Sequence, residues 1–409
     1  MTAKQILSKW KKLETRLSFG EENSKILSAI KELYSLYDAN MLSWLGGLFD
    51  SEIGGFYYSN SARDSDEFLP DIESTGQAIG VLEISGAISS YNDVPEWMRK
   101  RMAYFICSCE DSESGYFYNP QWSKDMADKK PWRRGRDLRW ATELAEGLDF
   151  KLPYETAYAR LKEKKNAEGS PADYLRSEEA FIEYMKSFDW TGKIRVTVHA
   201  LASQFDQIRD AGLGDVMLKF IEGLQDKESG LWGEGADEVK RVKGVSGIVY
   251  IYSAMKTPIP NATKITEYII SSLKNIKDGD ISIITGIWNA LAKVVNLTSE
   301  YGTPEEKADI ARLYEQHGST FAGYIRETTA TLRKFRKPDF SFSYTEKYSS
   351  STSQGMPVAK AGSFEGDVNA TILAIGAAEY VVRSMTLSKE TIPVFSTDDF
   401  EIFLTAARK

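Results

Sequence analysis

Apolar residues recur every three to four positions over most of the chain, which is the spacing of an amphipathic helix. The pattern predicts two alternating sets of six helices. The first set covers residues 25–38, 96–109, 173–188, 213–225, 262–276 and 305–334, and the second covers 71–84, 138–148, 195–209, 244–256, 281–297 and 367–384. The second set is more apolar and richer in Gly, Ala, Ser and Thr. Because small residues allow close helix approach, these helices are predicted to form an inner ring.

A short turn motif lies between the two helices of each predicted pair. The pattern D-x-E-x-G-x-[FW] begins at Asp50, Asp111 and Asp226, and a degenerate copy begins at Asp339. Turn-forming clusters at 168–170 and 278–280 fill the two wider intervals, so the chain contains six units of about 58 residues each. In each turn the Asp should accept backbone N–H bonds, the Gly should adopt a positive φ, and the aromatic side chain should pack on the core.

Six consecutive helical hairpins predict a closed (α/α)6 barrel, or toroid, as one all-α domain over residues 1–409. Extra terminal helices are expected, and a helix over 396–408 is predicted to pack against the N-terminal helices. An open solenoid of helix pairs would show similar periods. Its turns are normally short, however, whereas the loops that follow the outer helices here are long and aromatic. The pattern therefore favours the closed ring.

The turn and the Ser/Thr-rich inner helix that follows it, as in residues 49–82, resemble the repeat of the α/α-toroid enzymes. That superfamily includes six-hairpin glycosidases, with polysaccharide lyases and sugar epimerases of the same shape, and also terpenoid cyclases and prenyltransferase β-subunits. The resemblance implies an active site in the funnel at the N-terminal ends of the inner helices. Because one fold hosts unrelated reactions, the chemistry has to be argued from individual residues.

Composition narrows the class of protein. The 409 residues are 42% hydrophobic and 27% charged with only 12 Pro, which indicates a globular chain rather than a disordered one. A net charge of −8 argues against binding to nucleic acid or an anionic membrane. No uninterrupted apolar run approaches the roughly 20 residues that cross a bilayer, and the N-terminal segment lacks the pattern of a secretory signal.

The cysteine and histidine content limits the chemistry further. Two cysteines, Cys107 and Cys109, are too few for a disulfide framework or a four-ligand zinc site. The only histidines are His199 and His317. These counts predict a reduced, cytoplasmic protein without a metal or cofactor.

Two loops supply the candidate catalytic carboxylates. Asp71 and Glu73 begin the first inner helix, and Glu365 and Asp367 begin the sixth. A closed ring would make the first and sixth repeats neighbours and pair one acid from each across the funnel. An inverting glycosidase places two carboxyl groups about 6.5–9.5 Å apart with a water between them. In the alternative interpretation, these acids only cap their helices or favour the positive helix ends.

Aromatic and arginine side chains concentrate in the same loops. The candidate substrate-binding residues are Tyr57, Tyr58, Arg63, Trp122, Trp132, Arg136, Arg139 and Trp140. Aromatic faces can stack on sugar rings, and guanidinium groups can hold an acidic ligand. A cation–π-packed flap or a subunit contact would produce the same composition.

His199 begins the third inner helix. The resemblance to toroid lyases and epimerases implies proton transfer by a His at such a position, with Tyr57 or Tyr58 as its partner in a lyase. A lone His on an inner helix is also often a core residue. For the terpenoid branch, neither a D-x-D-D nor a D-D-x-x-D cluster is present, and the two cysteines do not fit the zinc ligands of a prenyltransferase.

The sequence thus predicts a carbohydrate-active enzyme that hydrolyses, or less readily eliminates, a glycosidic bond in a small and acidic oligosaccharide. A non-catalytic toroid that binds a ligand or partner through the same funnel is the first alternative, and a terpenoid-type enzyme is the second. The expected partner is a small molecule or oligosaccharide rather than nucleic acid or a membrane. The oligomeric state stays open.

Overall fold

The computed structural model describes residues 1–160, 173–202 and 204–409. Helix accounts for 63% of the structure and strand for 4%, which confirms the predicted all-α class. The α-helices are α1 (Ala3–Arg16), α2 (Asn23–Tyr34), α3 (Asn40–Gly46), α4 (Asn60–Arg63), α5 (Ile72–Ser85), α6 (Glu96–Ser108), α7 (Lys124–Asp128), α8 (Pro131–Gly147), α9 (Glu178–Lys186), α10 (Ile194–Ala202), α11 (Phe205–Asp210), α12 (Gly214–Gly223), α13 (Glu238–Ala254), α14 (Ala262–Ser272), α15 (Ile281–Tyr301), α16 (Pro304–Phe335), α17 (Val368–Thr386) and α18 (Phe400–Ala407).

Short elements complete the description. The 3₁₀ helices are Gly20–Glu22, Tyr91–Asp93, Asp173–Leu175, Leu273–Asp278 and Thr397–Asp399. The strands β1 (Phe49–Asp50) and β2 (Gly55–Phe56) form one antiparallel hairpin, and β3 (Thr352–Ser353) and β4 (Met356–Pro357) form another. Both hairpins lie in loops between helices.

The helices α5, α8, α10, α13, α15 and α17 correspond to the predicted inner set. Helix α17 contacts both α15 and α5, α15 also contacts α13, α13 contacts α10, and α5 contacts α8. The inner helix of the last repeat therefore lies beside that of the first. This places the loop before α5 (residues 57–71, named L1) next to the loop before α17 (residues 343–367, named L6).

Helices of the other predicted set pack against these helices and against one another. Helix α2 contacts α16 and α17, α14 contacts α15 and α16, and α9 contacts α12. The short C-terminal helix α18 packs against α3 near the N-terminus, and a backbone bond from Phe395 N to Ser85 O (2.8 Å) ties the preceding segment to the end of α5. Predicted and observed ends differ by seven residues at two places: α8 begins at Pro131 and not at 138, and α10 ends at Ala202 and not at 209. Proline is favoured in a first turn, where its missing N–H has no partner to lose.

The repeat turns have the predicted conformation. Asp50 Oδ1 accepts bonds from Glu52 N (2.9 Å) and Ile53 N (2.8 Å), and Gly54 has φ +91°. The equivalent glycines, Gly115 and Gly230, also have positive φ, at +67° and +72°. The aromatic residues Phe56, Phe117 and Trp232 that end the three motifs are all buried. The turn cluster predicted at 168–170 lies outside the described residues.

Helix α15 is, within the described ranges, the one helix long and apolar enough to cross a membrane by length and composition. Of the apolar stretch of this helix, 72% is buried inside the protein, as is usual for a helix in a protein core. In the sequence, Asn289, Lys293 and Asn296 interrupt the apolar residues of this segment, so it does not form one uninterrupted apolar run. These three polar residues follow the helical spacing and so lie along one side of α15.

Substituting Gly54 with Ala is expected to lower the free energy of unfolding by about 3 kcal/mol or more. A Cβ at this position would overlap the carbonyl oxygen of Arg101, in addition to the strain of a positive φ. Gly212 provides a matched control, because its φ is also positive (+74°) but an added Cβ would have open space around it. Urea unfolding should show a loss of only about 1–2 kcal/mol for Gly212→Ala. Equal losses in the two variants would contradict the close contact at Gly54.

Candidate functional site

Two of the predicted carboxylates begin the neighbouring helices α5 and α17. Asp71 caps α5, with its Oδ1 accepting a bond from Ser74 N (2.9 Å) and its Oδ2 accepting one from Ser74 Oγ (2.5 Å). Asp367 caps α17, with its Oδ1 accepting a bond from Ala370 N (2.6 Å). Both acids therefore satisfy the free N–H groups of a helix start, as the capping interpretation of the sequence predicts.

Backbone hydrogen bonds fix the two loops beside each other. Val368 N donates to Tyr58 O (3.1 Å), and Ser59 and Asp367 form an isolated antiparallel bridge. These contacts join positions that are more than 300 residues apart in the sequence. The starts of α5 and α17 consequently form one continuous site.

A buried arginine that the sequence analysis did not single out organises this site. The Arg133 guanidinium, on the first turn of α8, donates from Nη2 to Asp71 Oδ1 (2.8 Å) and from Nη1 to Glu73 Oε2 (3.0 Å). Its Nε donates to Asp137 Oδ2 (2.9 Å) one helical turn further on. Arg133 is fully buried, and each of the three acids is at most 3% exposed. We call Asp71, Glu73, Arg133, Arg136 and Asp137 the acid–arginine cluster.

Glu73 is the most extensively bonded acid of this cluster. Its Oε1 accepts bonds from Arg136 Nη2 (2.8 Å) and Gln77 Nε2 (3.3 Å). Its Oε2 accepts a bond from Ser353 Oγ (2.9 Å) in the hairpin of L6, in addition to the bond from Arg133. Glu73 thus joins α5, α8 and L6.

The cluster contains three carboxylates but only two guanidinium groups, which favours retention of a proton. Burial raises the pKa of Asp137 to about 7, although the nearby charge of Arg133 acts in the opposite direction. For Arg133, burial alone would lower the pKa, but the charges of Asp71, Asp137 and Glu73 outweigh it and the pKa is raised. At neutral pH the cluster therefore holds a charged arginine and a partly protonated Asp137.

Asp137→Asn is expected to flatten the pH dependence of stability. A carboxyl group whose pKa is raised by folding stabilises the protein below its unfolded pKa of about 4, and this contribution is lost as the pH rises towards about 7. Urea unfolding across that range should show a smaller decline for the variant than for the wild type. The control is Asp125→Asn, an exposed acid paired with Lys129, which should leave the decline unchanged. If both variants follow the wild type, Asp137 does not hold the proton.

Asp367 and Tyr58 form a second group beside the cluster. Asp367 is fully buried and Tyr58 is 1% exposed. The Tyr58 hydroxyl, the Ser349 side chain and the Ser350 backbone lie within hydrogen-bonding reach of the Asp367 carboxylate. Burial raises the pKa of Asp367 to about 6. Burial also raises the pKa of Tyr58, and the charges of Asp367 and Glu73 raise it further. The Tyr58 hydroxyl is therefore close enough to the carboxylates of Asp367 and Glu73 for their charges to affect its pKa.

Glu365 instead fastens L6 to L1. Its Oε1 accepts a bond from Ser59 Oγ (3.0 Å) and another from Ser61 Oγ, and its Oε2 accepts one from Ser61 N (2.7 Å). Both oxygens are thus used by protein donors in a buried position. This arrangement positions the loops and leaves no free oxygen for proton transfer.

The predicted aromatic residues line the cluster as packing partners. Trp122 is buried, with its ring centre 4.5 Å from the Arg133 guanidinium carbon and its Nε1 donating to Pro357 O (3.0 Å) in L6. The ring of Trp140 lies against Gly76 so closely that an added Cβ there would overlap it. Tyr57 donates its hydroxyl to Asp50 Oδ2 (3.0 Å). The cation–π contact of the alternative interpretation is therefore present at Trp122.

The remaining predicted residues lie farther from the cluster or outside the description. Arg63 pairs with Asp64 (Nε–Oδ1 2.7 Å) and Arg139 pairs with Glu143 (Nε–Oε1 2.7 Å), both on the surface. Arg136 differs, because it contacts Glu73 while its side chain stays 35% exposed. The side chains of Trp132 and His199 lie outside the described residues.

Three residues of the site were missed by sequence reasoning: Arg133, Asp137 and Tyr344. Arg133 and Asp137 are four residues apart, so they share a face of α8, and that spacing was the available signal. Tyr344 ends the degenerate turn that begins at Asp339, and the charges of Asp280 and Asp367 contribute to its raised pKa after burial. It therefore lies on the α17 side of the site.

Within the described part of the chain, no group of three or more His, Cys, Asp or Glu side chains is arranged to hold a metal ion. The site contains instead the buried pair of Asp367 and Tyr58 beside three carboxylates and two arginines. This arrangement can transfer protons.

No protein-family model, curated protein or solved structure matches the chain.

Proposed function

We propose that the chain is a closed (α/α)6 toroid and that the site at the starts of α5 and α17 cleaves a glycosidic bond in a small, acidic oligosaccharide. The contacts of α17 with both α15 and α5 support ring closure, because they bring the last repeat to the first. The observation that carries the catalytic proposal is the fully buried Asp367, which lies against the Tyr58 hydroxyl and whose pKa is raised to about 6 by burial.

In this proposal Asp367 is the general acid. A group with a pKa of about 6 is protonated in part of the molecules at neutral pH and can donate its proton to a leaving sugar oxygen. Its other oxygen stays bonded to Ala370 N, which fixes the direction of Oδ2. The capping contact would thus orient the catalytic proton as well as hold the helix.

Glu73 supplies the second carboxylate. Its bonds to Arg133 and Arg136 hold it in place, and its negative charge would stabilise the positive charge that develops on the sugar ring. One of its protein partners, Ser353, belongs to L6, so movement of that loop would open one acceptor position on Oε2 to a water, while the bond from Arg133 to the same oxygen remains. Hydrolysis is favoured over elimination because the raised pKa of Tyr58 makes a basic phenolate costly.

An acidic sugar fits the charges at the entrance to the site. Arg136 contacts Glu73 with part of its guanidinium and keeps 35% of its side chain exposed. A carboxylate on the substrate could share this arginine with Glu73, since planar guanidinium groups bind carboxylates at more than one edge. The protein as a whole is acidic, so Arg136 and its neighbours on α8 are a local exception.

A non-catalytic sugar-binding toroid is the second candidate. It is favoured by one observation, that the oxygens of Asp71, Glu73 and Glu365 are all bonded to protein donors. A site built in this way can hold a ligand without reacting with it. The two candidates differ in whether Asp367 transfers a proton.

Thermal unfolding in the presence of ligands tests where the substrate binds. A panel of neutral and uronate-containing oligosaccharides and isoprenoid diphosphates should give a rise in melting temperature with an acidic sugar, because a ligand bound only to the folded state stabilises it. Arg136→Gln should reduce that rise, whereas Arg139→Gln, which changes an exposed arginine paired with Glu143, should preserve it. A rise with isoprenoids alone would replace the carbohydrate proposal with a terpenoid one.

We also propose a cytoplasmic location. Both cysteines, Cys107 and Cys109, are unpaired, which is the state expected in a reducing compartment.

A further inference from the structure

A cavity of about 160 Å³ lies among the C-terminal halves of α13, α15 and α17. Its lining includes Tyr250, Ser253, Lys293, Asn296, Arg383 and Lys389. Ser282 lies in the first turn of α15. Asn296 is 14 residues further along this helix, which corresponds to about 20 Å at the rise of an α-helix. The cavity is therefore at the opposite end of the inner helices from the site described above.

The charged groups around this cavity leave one cation without an acid partner. Arg383 pairs with Glu379 (Nη1–Oε1 3.0 Å), and Lys389 pairs with Glu300. No ion pair among the described residues includes Lys293, whose Nζ contacts only the carbonyl oxygen of Ser246 at 3.4 Å. Burial lowers the pKa of Lys293, and the nearby charge of Arg383 lowers it further.

A second lysine, Lys243, differs from Lys293 in its charged neighbours. Lys243, near the start of α13, donates to Ser282 Oγ (3.0 Å). Burial and the charge of Arg195 lower its pKa, and the charges of Asp280 and Asp237 act to raise it. Both lysines thus have a neighbouring arginine, but only Lys243 also has carboxylates that counter it.

Neutral polar groups at the cavity are also unsatisfied. Asn296 is 4% exposed, and neither its Oδ1 nor its Nδ2 has a hydrogen-bond partner among the described residues. Arg383 Nε is likewise buried without a partner. Buried polar groups are nearly always hydrogen-bonded in folded proteins, so these three atoms together indicate a missing ligand.

We infer that this cavity binds a small oxyanion through Lys293, Arg383 and Asn296. The donors are the Lys293 ammonium, the Arg383 Nε–H and the Asn296 Nδ2–H, while Asn296 Oδ1 accepts a bond from a hydroxyl group on the ligand. Hydrogen phosphate and a hydroxycarboxylate both combine an anionic oxygen with such a hydroxyl. The volume is below the roughly 300–1,000 Å³ of pockets for drug-sized ligands, which fits an ion or the anionic end of a larger molecule.

The partial charges at the helix ends oppose anion binding in this cavity, but the positive charge of the cationic side chains outweighs them. The carbonyl ends of α13, α15 and α17 carry partial negative charge. Three cationic side chains (Lys293, Arg383 and Lys389) face two carboxylates (Glu300 and Glu379), so one positive side-chain charge is left over. That surplus lies on Lys293, the partly buried member of the group nearest to the middle of α15.

The test is thermal unfolding with sodium phosphate or sodium glycolate at constant ionic strength, with chloride as the reference salt. The wild type should show a melting temperature that rises with phosphate or glycolate but not with chloride, and the comparison of the two anions identifies the preferred one. Lys293→Met should bind the effective anion at least tenfold more weakly. Lys243→Met should bind it as the wild type does.

The variant is expected to fold, because methionine replaces a partly buried charge that has no acid partner and so removes its desolvation penalty. Its melting temperature in chloride should therefore equal or exceed that of the wild type. The proposal is wrong if neither anion stabilises the wild type, or if Lys293→Met keeps the full stabilisation. These outcomes do not depend on whether the protein cleaves sugars.

Discussion

Replacing Arg133 with methionine is expected to lower the free energy of unfolding by about 3–5 kcal/mol at neutral pH. The substitution leaves Asp71, Glu73 and Asp137 buried without their shared guanidinium, at positions where each is at most 3% exposed. Breaking a buried ion network from one side costs far more than the network contributes, because uncompensated charges stay in a medium of low polarity. Urea unfolding measures the loss.

Two comparisons make this prediction specific. Arg139→Met removes an exposed arginine from the same helix and should cost less than about 1 kcal/mol, since surface ion pairs contribute little. Lowering the pH should restore part of the stability of Arg133→Met by protonating the acids that it leaves unpaired. Similar small losses in the two variants, or no recovery at low pH, would show that the acid–arginine cluster is not a buried charge network.

Asp367→Asn is expected to reduce turnover of a cleaved oligosaccharide by about 10²–10⁴-fold while the protein stays folded. Asparagine caps helices about as well as aspartate, so the bond to Ala370 N and the start of α17 should be retained. The matched control is Asp237→Asn at the cap of α13, where the side chain accepts a bond from Lys240 N (2.9 Å) at an exposed position. That variant should keep full turnover.

The pH profile distinguishes a proton donor from a merely structural Asp367. As a general acid with a pKa of about 6, Asp367 must be protonated to act, so the rate should fall as the pH rises through that value. The residual activity of Asp367→Asn should lack this decline. Tyr58→Phe, which removes a buried hydroxyl that borders Asp367, should keep the fold and shift the decline to a different pH. An unchanged profile in both variants would exclude Asp367 as the acid.

The repeat turns could be predicted from the sequence because their physics is local. The Asp at the start of each motif bonds the backbone two to three residues on, and the Gly at its fifth position needs only a positive φ. The same holds for the helix caps at Asp71 and Asp367, which the sequence offered as one of two interpretations. Contacts within one turn of chain need no knowledge of the fold.

The acid–arginine cluster could not be predicted in this way. Four arginines lie between positions 133 and 139. How far each side chain is exposed depends on where α8 begins and on what packs against it. A start at Pro131 places Arg133 and Asp137 on the buried face and turns Arg139 outward. Two of the partners of Arg133, Asp71 and Glu73, are about 60 residues away, so only the packing of α8 on α5 reveals them.

The choice among the candidate acids likewise depends on contacts between residues that are distant in the sequence. The sequence offered Asp71 or Glu73 with Glu365 or Asp367 as equivalent choices, since each acid stands at a helix start. The structure distinguishes them by their partners: Glu365 is bonded through both oxygens to Ser59 and Ser61, whereas Asp367 caps α17 through Oδ1 and lies against the Tyr58 hydroxyl. Hydrogen bonds between distant loops therefore decide which acid can react.

The most direct test of the proposed function is mass-spectrometric detection of cleavage products from neutral and uronate-containing oligosaccharides, with the wild type and Asp367→Asn side by side. The account predicts that the wild type releases products from at least one acidic oligosaccharide. Asp367→Asn should bind that oligosaccharide, as judged by thermal unfolding, and release almost none. Binding without cleavage by the wild type would make the protein a sugar-binding toroid, and equal cleavage by both proteins would contradict the role of Asp367.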